Sequence, residues 1–267
     1  VCSSDLSDLR RFVSDIIPPE LTEPITMNGA VTGSLSELNI SENLSFPEIE
    51  LQLSTEGQIK DLLDTKKLFF DLSIDTLHAD YAKLNKILPA GSLPFEFQRW
   101  GVIELQGRFR GTIADFKTNN LQVKTKAGPQ LKGDIHIVGL PQYKKATFNL
   151  KLDRLNTRLV DWEGFLPDTL PTVLENVDKV VLRGTFNGSI YKFKSNLNLQ
   201  LIDGNILANT SFDFTKDYSN AVYNGRVQLQ QFDLASFLKD SLLGIVNLEM
   251  NIDGEGLQLA NLDTKVQ

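Results

Sequence analysis

The sequence predicts a mostly β protein, an antiparallel sheet of repeated units with one short helix per unit. Three observations carry this. Apolar residues alternate with polar ones in many short runs. A glycine-centred phrase recurs at a nearly fixed interval. A helix-like phrase recurs at the same interval. Alternation with period two puts apolar side chains on one face of a strand and polar ones on the other, the pattern of a sheet wetted on one side. Recurrence at a fixed spacing is the mark of stacked structural units.

The strands read in order as Ile49–Leu53, Phe70–Ile74, Ile103–Gln106, Leu121–Val123 and Ile135–Ile137. They continue as Phe148–Leu152, Leu197–Leu201, Phe212–Phe214, Val227–Leu229 and Leu248–Ile252. Asp203-Gly204 separates two alternating runs and predicts a tight hairpin, because the favoured two-residue turns need positive φ. Asp217–Asn220, Lys126–Pro129 and Ser41–Asn43 read as looser loops. The helical phrases are Leu77–Pro89, Leu155–Pro167 and Phe232–Gly244, with a fourth from Leu6 to Pro18. Their stops therefore fall near 18, 89, 167 and 244. Leu77, Tyr81, Leu84 and Leu88 suit one helix face. Pro89 and Pro167 would end their helices, having no N–H and disfavouring the helical state in the residue before.

The glycine phrase is apolar, any, Gly, any, apolar, any, any, apolar. It reads Val31 to Leu38, Phe109 to Phe116 and Phe186 to Phe193, with a worn copy from Ile252 to Leu259. Its first three glycines, Gly33, Gly111 and Gly188, lie 78 and 77 residues apart, and the last interval is 66. A glycine inside an alternating run marks a bulge, a bend or a close backbone approach. The preferred reading makes these three sheet-bending glycines. The alternative is a hairpin turn one or two residues away.

Composition narrows the function classes. The chain has 267 residues, 41% of them hydrophobic, and a formal net charge of −7. Nucleic-acid binders carry a basic face, so that partner is not expected. No apolar run reaches the 18 residues of a membrane-spanning helix. The single Cys2 sits in Val1–Asp5, which reads back as GTG TGC TCT TCC GAT, the end of a common sequencing adapter. Residues 1–5 are therefore expected to be an assembly artefact. Residues 6–267 are expected to be one continuous repeat array, truncated at both ends.

No chemistry-bearing constellation emerges. The two histidines, His78 and His136, lie in different units without a second imidazole nearby, so no metal site is expected. His136 reads as a solvent-side strand residue and His78 as a residue of a helix cap region. No nucleophile elbow is present, and Gly184–Gly188 lacks the lysine of a phosphate loop. Glu50, Asp71, Glu104 and Asp213 alternate out of apolar strands, as a solvated face requires. No catalytic residue, metal or cofactor is predicted, and the chain is not read as an enzyme.

Leu182–Ile190, Phe232–Leu238 and Val246–Leu257 resemble AsmA-like proteins, closest to the translocation and assembly module (TamB) family. The resemblance runs loosely over residues 7–267 and best over about 180–262. It implies an elongated, curved sheet folded lengthwise into an open groove (a β-taco). Such a protein would be tethered to the inner membrane and cross the periplasm of a Gram-negative bacterium. It also implies phospholipid acyl chains as cargo or a part in outer-membrane protein assembly, with an outer-membrane barrel as a possible partner. The family's N-terminal anchor and C-terminal docking domain are not in this sequence, so membrane attachment would come through missing segments.

On that reading the groove lining is Val31, Leu35, Phe109, Ile113, Ile135, Ile137, Phe148, Leu150, Phe186, Ile190, Leu197, Leu199 and Phe212. Two rivals draw on the same alternation. One is a chaperone role for outer-membrane strands, and the other a structural or adhesive β-repeat protein with a closed, dry core.

Overall fold

In a computed structural model of the chain, the described residues are 2–4, 25–64, 66–87, 95–162, 177–216, 220–256 and 263–266. They are mostly strand, and they fall into two compact units. One is Val1–Gln130 with Glu163–Phe165, the other Leu131–Trp162 with Leu166–Gln267.

The first unit holds β1 (Cys2–Ser4), β2 (Ile25–Ser34), β3 (Glu37–Phe46), β4 (Leu51–Lys60), β5 (Phe69–Asp80), β6 (Val102–Thr112) and β7 (Asp115–Thr125). Each pairs antiparallel with the next in chain order. The second holds β8 (Gln130–Val138), β9 (Thr147–Arg158), β10 (Lys179–Gly188), β11 (Lys192–Leu201), β12 (Gly204–Asp213), β13 (Val222–Asp233), β14 (Ile245–Glu255) and β15 (Asp263–Val266). These too follow in chain order, and β9 to β15 pair antiparallel throughout. Neighbours along the chain are neighbours in the sheet, so each unit is a meander. The fold class is thus mostly β and antiparallel.

The repeat is a four-strand module. Gly33, Gly111, Gly188 and Gly254 fall on β2, β6, β10 and β14. The first three have φ of +114°, +138° and +137°. Each lies on one of the last two rungs before a hairpin, opposite Leu38, Phe116 and Phe193. A Cβ there would come within 2.2, 2.1 and 2.2 Å of the carbonyl oxygens of Glu37, Asp115 and Lys192. Close approach at a hairpin, not a mid-strand bend, therefore explains the recurrence.

A second recurrence resolves the helical phrases. β5, β9 and β13 each carry two same-face apolar residues three apart: Ile74 and Leu77, Leu152 and Leu155, Leu229 and Phe232. The register against the partner strand shifts inside each interval. Such a bulge places two residues opposite one and returns the next apolar side chain to the same face. Spacing by three also suits a helix, so the predicted helices begin too early. Leu77, Leu155 and Phe232 are strand residues. Among the described residues of these phrases, helix follows at α1 (Tyr81–Ile87) and α2 (Leu234–Leu238), and a 3-10 turn at Leu159–Trp162.

Asp80 Oδ1 accepts from the Lys83 N–H at 3.0 Å, and Asp233 Oδ1 from the Ser236 N–H at 3.1 Å. These carboxylates satisfy N–H groups that a helix start leaves free. α2 ends at Leu238, where Lys239 turns to φ +56°, and not near Gly244. The expected stops at 18, 89 and 167 lie outside the described residues, as does the phrase Leu6–Pro18.

Three further expectations shift. Ser41–Asn43 is interior to β3, not a loop. The β11–β12 hairpin turns on Ile202-Asp203, one residue before the expected pair, and Leu201 pairs with Gly204. His78 lies on β5, its Nδ1 3.9 Å from Glu104 Oε1, and not in a helix cap.

Candidate functional site: an apolar sheet face

Residues directly opposite on antiparallel strands share a face. The strand registers therefore sort the paired side chains by face. In the second unit, one face reads across β9 to β14 as Leu155, Leu182, Leu199, Ile206, Leu229, Leu248. The rung beside it is Leu152, Gly184, Leu197, Ala208, Val227, Met250. Next comes Leu150, Phe186, Ser195, Thr210, Gly225, Ile252, and then Phe148, Gly188, Phe193, Phe212, Tyr223, Gly254. A Cβ on Gly133 would meet the Leu152 Cα, which puts Ile135 and Ile137 of β8 on this face by alternation.

The first unit repeats the layout. Across β2 to β7 one rung reads Met27, Leu44, Leu53, Leu77, Leu105, Val123, and another Val31, Ile40, Gly57, Leu72, Phe109, Thr118.

Of the thirteen predicted lining residues, Val31, Phe109, Ile135, Ile137, Phe148, Leu150, Phe186, Leu197, Leu199 and Phe212 lie on these faces. Leu35, Ile113 and Ile190 do not. They sit in the hairpin turns after β2, β6 and β10, exposed by 55%, 45% and 40%. Their place in the glycine phrase suggested the strand period, but the hairpin turn interrupts it. Not predicted were further members of the inner rungs, such as Leu44, Leu53, Leu105, Leu182 and Ile206. Each belongs to an alternating run, so the signal was present in the sequence.

Most of these side chains are neither buried nor fully exposed. Among the described residues of each unit, every strand makes its extensive contacts with its neighbours in the sheet and with the short helices. Leu121, Leu152, Leu155, Ser195, Thr210 and Tyr223 are buried, and most of the others stay partly open. Aromatic rings strengthen one margin in the second unit. Phe186 stacks on Phe193 at 4.7 Å between centroids, and Phe212 on Phe214 at 5.5 Å and on Tyr223 at 6.0 Å.

The opposite faces are polar and charge-paired. Arg108 forks onto Asp71 with hydrogen bonds of 2.9 and 3.1 Å, and Arg110 stands 3.7 Å from the same carboxylate. The Arg108 fork holds the Asp71 carboxyl below its ordinary range. Lys192, at 2.8 Å, and then Thr215 hold Asp213 well below that range. Arg226 and Gln228 both bond Glu249. Each of these groups has its partner across the strand, which is the arrangement of a solvated sheet face.

Among the described residues no group of three or more His, Cys, Asp or Glu is arranged to hold a metal ion. No described helix is long and apolar enough to cross a membrane. No protein-family model, curated protein or solved structure matches this chain.

Proposed function

We propose that the apolar faces carry the acyl chains of phospholipid, and that this chain is a segment of a bridge conveying lipid between the inner and outer membranes of a Gram-negative envelope. One observation supports this above the others: each unit presents rung after rung of aliphatic and aromatic side chains on one face, most of them still partly open to solvent. Apolar surface of this extent is unusual on a monomer and marks a binding surface. A ten-residue strand is roughly 33 Å long, comparable with a lipid's hydrocarbon layer. At about 0.8 kcal/mol per buried CH₂, a long acyl chain gains on the order of 10 kcal/mol over water. Neighbouring rungs offer similar walls, so sliding from one to the next changes little energy. The reading needs no catalytic residue or cofactor. Tethering to the inner membrane and an outer-membrane barrel partner belong to this proposal through the resemblance to the TamB family.

The test is purification without detergent, followed by mass spectrometry of extracted lipid, with a photo-crosslinking residue at Leu199 or at Asn198. Phospholipid adducts at 199 and few at 198 are expected, since adjacent strand positions face opposite sides. Equal labelling, or no co-purifying lipid, overturns the proposal. Adducts to unfolded outer-membrane strands in place of lipid would favour the chaperone reading.

A further inference from the structure

Glu42 breaks the pattern of the apolar face. It lies in the middle of β3, where Ile40 and Leu44 on the same side are apolar, and it pairs with Gly29 on one flank and Thr55 on the other. Among the described paired positions of both apolar faces it is the single charged side chain. Only 7% of Glu42 is exposed, and its Oε2 is buried without a hydrogen-bond partner. A buried carboxylate oxygen left unpaired is costly, so its retention on this face calls for a partner from outside the described chain.

The surroundings say what kind of partner. Gly29 leaves room for the carboxylate to lie flat, since a Cβ there would stand 2.9 Å from Glu42 Cδ. Gly57, one rung along β4, adds no bulk on the other side. Thr55 Oγ1 spends its hydrogen on the Ser73 carbonyl at 3.0 Å, so it offers only lone pairs. Every Lys and Arg of the paired strand positions points to the other face, as Arg108 and Arg110 do toward Asp71. Among the described residues, the notch therefore presents acceptors and negative charge, with no donor. A phosphate or a carboxylate finds nothing there to bind. A primary ammonium brings three donors, no acceptor and a positive charge. The flanking Val31, Ile40, Leu44 and Leu53 suit carbon chains beside it.

We propose that the Gly29–Glu42–Thr55 notch is a recognition point for the primary ammonium group of an amphiphile whose chains lie along the neighbouring apolar rungs. This rests on the lipid-carrying reading above and specifies its cargo. Rotation about the terminal carboxylate torsion exchanges the two oxygens, so the unpaired one turns toward an incoming donor at little cost.

The test loads the full chain from an equimolar mixture of dilauroyl phospholipids bearing ethanolamine, choline and glycerol head groups, and counts bound lipids by native mass spectrometry. Choline keeps the positive charge but has no N–H. A preference of roughly tenfold for ethanolamine lipid is expected, the worth of one charged hydrogen bond. Glu42→Gln should abolish that preference while total lipid stays the same. Free ethanolamine phosphate should fail to compete. Equal loading by the unsubstituted chain overturns the notch and leaves lipid carriage standing, as does an unchanged preference in Glu42→Gln. Displacement by free ethanolamine phosphate overturns it too, in favour of a soluble amine site. Absence of any bound lipid overturns both proposals. The comparison among head groups needs no variant, so a folding defect in Glu42→Gln leaves the result decisive.

Discussion

The Ser195 and Thr210 hydroxyls lie 2.9 Å apart, directly across β11 and β12, in the middle of an otherwise apolar face. Both residues are buried, at 6% and 7% exposure. Each hydroxyl is the other's partner on a surface that offers few alternatives.

Removing one hydroxyl should therefore cost more than removing both. Ser195→Ala or Thr210→Val alone leaves a buried polar group unpaired, at about 1–2 kcal/mol. The double replacement should cost less than the sum, with a coupling of at least about 0.5 kcal/mol. Urea unfolding of the two single variants and the double variant measures this. Additive losses would mean that the two groups do not depend on each other.

The two faces of β11 and the turn before it separate lipid contact from mere exposure. Leu199 stands between Leu182 and Ile206, whereas Ile190 lies in the β10–β11 turn. Leu199→Asp should lower co-purified phospholipid roughly tenfold or more, because a carboxylate against acyl chains loses its hydration. Ile190→Asp should leave lipid content unchanged. Far-UV circular dichroism should match the parent in both, since each side chain already meets solvent. Lipid retained by Leu199→Asp would exclude carriage along this rung.

Acid should weaken the Asp71–Arg108 pair in one direction only. Arg108 holds Asp71 below its ordinary value of 3.8, so the folded state favours the ionised carboxylate. That contribution is complete above the unfolded value and fades as pH falls through the lower folded one. The pair is at the surface, with Arg108 59% exposed, and Arg110 partly substitutes. Arg108→Met should thus lower stability slightly at neutral pH, and the difference from the parent should shrink below about pH 4. Urea midpoints taken across that range test the direction. A gap that widens in acid would assign the stabilisation to another group.

Much of this protein was legible along one chain. Phe70–Ile74, Phe148–Leu152, Leu197–Leu201 and Leu248–Ile252 alternate because each strand has one apolar and one wet side, and that property is local; of the expected strand Ile49–Leu53, Ile49 and Glu50 fall in the turn before β4. Gly33, Gly111 and Gly188 mark a four-strand module for an equally local reason: each meets the backbone across a hairpin where a Cβ has no room.

Relations between strands were not legible. Leu77, Leu155 and Phe232 follow an apolar neighbour at a spacing that a helix and a bulged strand share. Only the register against β6, β10 and β14 decides between them. Leu35, Ile113 and Ile190 keep an apolar character in step with their phrase, yet a hairpin turn removes them from the face. Glu42 reads as part of a loop beside Ser41 and Asn43, and only its pairing with Gly29 and Thr55 sets it among the aliphatic rungs. The sequence by itself determined the strands, their one-sidedness and the repeat, because those depend on each segment's own hydration. Tertiary structure alone decided which side chains meet and which of them stay uncovered, because pairing is a property of two strands at once.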